Sequence, residues 1–131
     1  SSAHVLSAAE CNVNMDIESL RKAGSMLGSA GVIVMDDQTC MVDALLNIMK
    51  FYHHESCGQC TPCREGSNWS ERILERLLEG KGEPGDVENL FRVGENITGK
   101  VICALGDTVG MVTRAYITKF PDDFKKRVPN G

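Results

Sequence analysis

The stretch that decides the reading is Glu55-Ser56-Cys57-Gly58-Gln59-Cys60-Thr61-Pro62-Cys63-Arg64-Glu65-Gly66. Three cysteines stand here at C-x2-C-x2-C spacing. A fourth, Cys103, lies far downstream in Val101-Ile102-Cys103-Ala104-Leu105-Gly106-Asp107. Four thiolates, three of them on one tight loop, form the ligand set of an iron–sulfur cluster. The loop is expected to grip one side of a [4Fe–4S] cube and Cys103 to close the other. Zinc is the competing reading, but structural zinc sites usually draw their ligands from two paired knuckles. Three thiolates within seven residues suit an object larger than one ion, with [2Fe–2S] as a third possibility. If every iron is capped by cysteine, no position stays open for substrate, and the site moves one electron at a time.

The rest of the loop has its own chemistry. Gly58 permits a backbone with φ > 0 and lets peptide N–H groups approach sulfur. Pro62 fixes φ before Cys63. Arg64 and Glu65 read either as an ion pair orienting the loop or as solvated charges. His53 and His54 read as neighbours of the site rather than ligands. Of the six cysteines, Cys11 and Cys40 remain as small half-buried thiols. A cluster this tight, with no secretory context, reads as metal binding rather than as a disulfide framework.

Helical periodicity surrounds the loop. Met41, Val42, Leu45, Ile48, Met49 and Tyr52 recur on one face of a first helix that Asp37 or Thr39 can cap. A second helix is expected from Ser67, burying Trp69, Ile73, Leu74, Leu77 and Leu78, and ending at the glycine-rich run 80–85. A third starts near Asp86 with Val87, Leu90 and Phe91 inward. A fourth, capped by Asp107 or Thr108, turns Val109, Val112, Ala115, Tyr116 and Phe120 inward. A last turn follows Pro121, anchored by Phe124. The fold class is therefore mainly α, a four-helix bundle. In an up-down-up-down bundle the 1–2 and 3–4 connections share one end, which carries Cys103 to the triple-cysteine loop.

Residues 1–37 read differently. A short helical turn is expected over 16–23, stopped by Gly24. Val32-Ile33-Val34-Met35 is a β-branched apolar run bounded by Gly31 and Asp36, and it reads as one short buried strand. One strand cannot make a sheet, and the chain opens on Ser1 rather than Met, so the sequence is expected to be a fragment. The domain division is 1–37 and 38–131. The charge of −4, from 14 basic and 18 acidic residues, and the scatter of the basic residues argue against a nucleic-acid binder. No apolar run approaches the ~20 residues that cross a bilayer, so no direct membrane insertion is expected. The first ten residues have neither the basic start nor the apolar stretch of a signal peptide.

The cysteine loop, the Cys103-Ala104-Leu105-Gly106-Asp107 stretch and the upstream run from Gly24 to Asp36 together resemble the NADH-binding flavoprotein subunit of respiratory complex I, NADH:quinone oxidoreductase. The resemblance covers nearly all of this chain but only the C-terminal part of that subunit. Similar modules occur in NAD-linked hydrogenases and formate dehydrogenases. The resemblance implies that residues 1–37 are a partial ubiquitin-like (SLBB) segment with its connecting strand, and that 38–131 form the helical [4Fe–4S]-binding domain. It implies Cys57, Cys60, Cys63 and Cys103 as cluster ligands, with Ala104 and Leu105 on the flavin side. It implies single-electron transfer from FMN, reduced by NADH, through the cluster to further iron–sulfur carriers. The FMN and NADH motifs themselves are absent, so the chain alone is not expected to oxidise NADH. The implied partners are other peripheral-arm subunits, especially the small iron–sulfur flavoprotein partner subunit. The implied place is the cytoplasmic side of the inner membrane, or the matrix side in a mitochondrion. One departure is Thr108-Val109-Gly110-Met111-Val112-Thr113, where relatives often carry small residues and Trp-Pro; it bears on how the fourth helix packs. The alternative from another class is a zinc-stabilised helical interaction domain.

Overall fold

The computed structural model describes residues 5–129; residues 1–4 and 130–131 of the expected domains lie outside that range. Among the described residues the regular structure is helical. A single 3-10 turn spans Ala8–Glu10, followed by α1 (Ile17–Lys22), α2 (Met41–Glu55), α3 (Thr61–Leu78), α4 (Asp86–Ile97), α5 (Ala104–Lys119) and α6 (Pro121–Lys125).

Helices α2 to α5 are the expected bundle. Each packs on the next, and α5 closes back on α2. Cross-helix contacts give the directions. Lys50 pairs with Glu75 at 3.0 Å and His53 with Glu71 at 2.6 Å, so position rises along α2 as it falls along α3. Arg76 meets Asp86 near one end of the α3–α4 pair, while Gly66 lies against Ile97 near the other. The Thr113 hydroxyl lies 3.7 Å from the Met49 sulfur, and the Met41 N–H donates to Asp123 at 3.3 Å. All four neighbouring pairs are antiparallel, as short connections require. The core runs through Val42, Leu45, Met49, Leu74, Leu77, Leu90, Ile97, Val109 and Val112, and Phe124 of α6 plugs its lower end.

The fourth helix of the bundle, α5, carries the sequence departure and approaches α4 backbone to backbone. A Cβ on Gly110 would stand 2.5 Å from the Gly94 carbonyl oxygen, and one on Gly94 would stand 3.0 Å from the Gly110 carbonyl oxygen. These two glycines set the α4–α5 spacing. Beyond them, Arg114 lies over the Phe91 ring at 5.7 Å.

Four expectations are corrected. Helix α3 starts at Thr61, not Ser67, because Cys60 takes the N-cap position with Pro62 in the first turn; Ser67 is buried within the helix. Trp69 is 54% exposed. The buried stripe of α3 is instead Cys63, Gly66, Ser67, Ser70, Leu74 and Leu77, a small-residue face that lets α3 sit close to its neighbours. Helix α5 likewise starts at Ala104, with Cys103 as its N-cap. The buried strand at 32–35 is absent: the described residues offer no second strand to pair with it, and Val34 is 89% exposed. The expected turn at 16–23 is α1, capped by Asp16 accepting from the Ser19 N–H at 2.7 Å and stopped at Gly24 with φ 74°. Leu20 is buried, and Lys119 of α5 binds Glu10 at 2.7 Å, which ties the N-terminal segment to the bundle.

An ion pair buried on its aspartate side fixes the α3–α4 connection. Arg76 donates to both oxygens of buried Asp86, which also accepts from the Glu83 N–H at 2.8 Å. Burial pushes the Asp86 carboxyl up, but the Arg76 guanidinium and the Glu83 N–H outweigh it and hold it below the ordinary carboxylate range. A depressed carboxylate contributes stability above its unfolded pKa, and that stability is lost as pH falls through the folded value.

These contacts set two expected outcomes. Gly110→Ala gains about 1 kcal/mol of helix propensity, but overpacking against a carbonyl costs about 1–3 kcal/mol. Urea denaturation is therefore expected to show a net loss of up to about 2 kcal/mol. Asp86→Asn is expected to shrink the difference between urea midpoints at neutral pH and at pH below about 4, and an unchanged difference would contradict the role assigned to the pair.

Candidate metal centre

The topology brings the two cysteine segments to one end. The Ile102 N–H, one residue before Cys103, donates to the Cys60 sulfur at 3.4 Å. Loop 56–60 and loop 98–103 thus meet directly, as the bundle topology predicts. The four cysteines are all free thiols. Cys63 is buried in the first turn of α3, Cys60 is half-buried at its N-cap, and Cys57 and Cys103 are exposed at the rim.

Both α3 and α5 begin at this end, and each begins on a cysteine. Neither helix has a side-chain cap on its first turn, so first-turn N–H groups remain without an intrahelical partner. The positive ends of two helix dipoles therefore converge where thiolates would carry negative charge.

Hydrogen bonds shape the sulfurs' surroundings. The Gly58 N–H donates to the Ser56 hydroxyl oxygen at 3.3 Å, and that oxygen lies 3.5 Å from the Cys63 sulfur. With its oxygen already accepting, Ser56 is free to direct its own hydrogen at Cys63. Gly58 has φ 78°, which makes this tight turn available. Arg64 donates to the Gly58 carbonyl and to Glu65, the latter at 2.9 Å, so the charged pair does orient the loop. The opposite loop is fastened by Asp107, which accepts from the Gly99 N–H at 2.7 Å; Asp107 braces the connection instead of capping a helix. His53 is engaged by Glu71, and His54 by Glu55 at 3.1 Å. Ala104 is exposed beside Cys103, while Leu105 is half-buried and packs on the core.

An all-sulfur donor set fits a soft metal centre. Among the described residues no three Cys, His, Asp or Glu side chains are gathered as ligands of a single ion. The exposed rim cysteines, the buried one and the two convergent helix ends fit a multi-iron group seated between the loops. Two contributors escape a reading of the sequence, Ser56 and the Ile102 N–H. Ser56 carries a signal, a hydroxyl adjoining the first cysteine of the loop. The Ile102 amide carries none, because any residue supplies one.

Comparison with known proteins agrees with this arrangement. A family model for the NADH-ubiquinone oxidoreductase-F iron–sulfur binding region matches residues 43–127. The second NADH-quinone oxidoreductase F-type subunit of Rhizobium meliloti (strain 1021) is 51% identical over 123 residues, 94% of this chain and 29% of that protein. The corresponding NADH-quinone oxidoreductase F-type subunit of Rickettsia typhi is 46% identical, over 92% of this chain and 28% of its own length. The chain thus spans under a third of the curated relatives it matches. Among solved structures, an NAD+-reducing [NiFe]-hydrogenase in the H2-reduced state superposes with a TM-score of 0.69 at 28% identity, over 75% of this chain and 17% of that one. On the match across 43–127, the helical bundle and the cysteine end it builds, the chain belongs to the NADH-ubiquinone oxidoreductase-F iron–sulfur binding region family.

Proposed function

We propose that Cys57, Cys60, Cys63 and Cys103 hold one [4Fe–4S] cluster and that this chain is the electron-relay part of an NADH:quinone oxidoreductase flavoprotein subunit. The observation that carries the reading is the Ile102 N–H on the Cys60 sulfur, which puts the fourth cysteine's segment against the loop that bears the other three. Bound there, such a cluster supplies reversible one-electron transfer. The protein's part is to hold and polarise the sulfurs. Helices α3 and α5 present positive ends to them, the Ile102 N–H and the Ser56 hydroxyl stabilise charge on two of them, and buried Cys63 keeps water from the inner side.

In this reading the electrons arrive singly from FMN, reduced by NADH elsewhere in the full subunit, with exposed Ala104 and neighbouring Leu105 on the flavin side. They leave for further iron–sulfur carriers in other peripheral-arm subunits, the small iron–sulfur flavoprotein subunit among the partners. No helix among the described residues is long and apolar enough to cross a membrane. We assign the chain to a peripheral arm on the cytoplasmic or matrix face. Residues 38–131 act as the cluster domain and the preceding segment as the end of a ubiquitin-like one. The hydrogenase neighbour supports a second reading, the equivalent NAD-linked module of a hydrogenase; the higher identity to the quinone oxidoreductase relatives favours the first.

Cys103→Ser is expected to lower the iron content of anaerobically purified protein by roughly half or more and to abolish or shift the EPR signal of the reduced form. Full iron with an unchanged signal would contradict ligation by Cys103. Ser56→Ala removes a donor that favours the more negative, reduced state. A hydrogen bond worth about 1 kcal/mol corresponds to roughly 40 mV for one electron, so a redox titration is expected to find the potential lowered by up to about that amount.

A further inference from the structure

The face of the bundle between α3 and α4 carries a feature that electron transfer within the chain does not use. A hollow of about 400 Å³ opens there, floored by Trp69, Ile73 and Val93, and continues past Trp69 into a second of about 300 Å³ that reaches Thr61 and Pro62. These last two residues stand between Cys60 and Cys63, so the groove runs up to the cysteine end. A half-exposed tryptophan on an apolar floor is the composition of an interface anchor.

The rim is cationic although the chain is acidic. Arg72, Arg92 and Lys100 line the groove. Arg72 donates to Asn68 and Lys100 to Asn96. Among the described residues none of the three cations has a carboxylate at ion-pair distance; the ion pairs of this bundle face lie elsewhere. On α3, Glu71 and Glu75 turn to α2, where His53 and Lys50 hold them. On α4, Glu88 and Glu95 stand one turn before and one turn after Arg92, and neither comes within ion-pair distance of it. The one carboxylate on the lining, Glu65, is paired with Arg64. Three cations without an ion pair thus stand around an apolar floor.

We propose that this groove docks an acidic segment of a partner protein, with an apolar side chain seated on Trp69 and carboxylates meeting Arg72, Arg92 and Lys100. The complementarity is one of sign and shape: three unpaired cations select against basic segments, and the apolar floor gives the anchor. A partner held there lies beside the cysteine end. The docking stands on the groove alone and does not depend on which metal group the cysteines hold.

Trp69 is the only tryptophan in the chain, so its emission reads the groove directly. The purified chain is titrated with two synthetic peptides that share a Leu-rich centre, one flanked by Asp and Glu, the other by Lys. The acidic peptide is expected to shift Trp69 emission to the blue saturably. Its affinity should fall roughly tenfold when salt is raised from low to well above physiological strength. Arg92→Glu, a change at an exposed site, is expected to keep the helical circular dichroism and to reverse the preference toward the Lys-flanked peptide. An equal response to both peptides, no response to either, or an acidic preference retained in Arg92→Glu would each overturn the proposal. A single-stranded oligonucleotide that shifts Trp69 as strongly as the acidic peptide would overturn it in favour of nucleic acid. A shift that follows protein concentration, with dimers in sedimentation, would overturn it in favour of a second copy of this chain.

Discussion

Two helices of the bundle, α3 and α5, start at the same end, and each starts on a cysteine. That coincidence is what the rest of the molecule serves. Thiolates are costly to gather, since each carries charge and the charges repel. Helix N-termini offset that cost by presenting unpaired N–H groups and the positive end of the dipole. An up-down-up-down arrangement brings two such ends together from connections far apart in sequence, and the Ile102–Cys60 hydrogen bond marks where they meet.

The remainder of the fold holds those two ends in register. Gly94 and Gly110 let α4 and α5 touch through their backbones, which fixes where Cys103 emerges. The small-residue stripe of α3 does the same against its neighbours. At the far end the Arg76–Asp86 pair closes the α3–α4 connection, and α6 seals the core with Phe124. Nearer the sulfurs, Arg64 on Gly58 and Asp107 on Gly99 brace the two loops separately. Each loop is therefore braced by the helix that follows it.

Much of this is legible in the residues, for identifiable reasons. The cysteine spacing names its own chemistry, and the apolar positions of α2 and α5 recur at helical period, so the bundle and the meeting of the segment before Cys103 with the loop can be inferred. The helix starts cannot. Capping rules look for Ser, Thr, Asp or Asn, and here both N-caps are cysteines, so the rules point to Ser67 for α3 and to Asp107 or Thr108 for α5. Trp69 misleads because bulk suggests burial, whereas the close face of α3 needs Gly66, Ser67 and Ser70. The run at 32–35 has the composition of a strand, but a strand exists only by pairing, and pairing lies outside any local pattern. Ser56 and the Ile102 amide act through geometry that no spacing encodes.

Whether the four cysteines at one end of the bundle hold a multi-iron cluster is decided by metal and sulfide analysis of the anaerobically purified chain, combined with Mössbauer spectroscopy. The expected result is a brown protein with about four iron and four sulfide per chain, bleached by dithionite and with the spectrum of a cubane cluster. A colourless protein carrying about one zinc and no sulfide would contradict it.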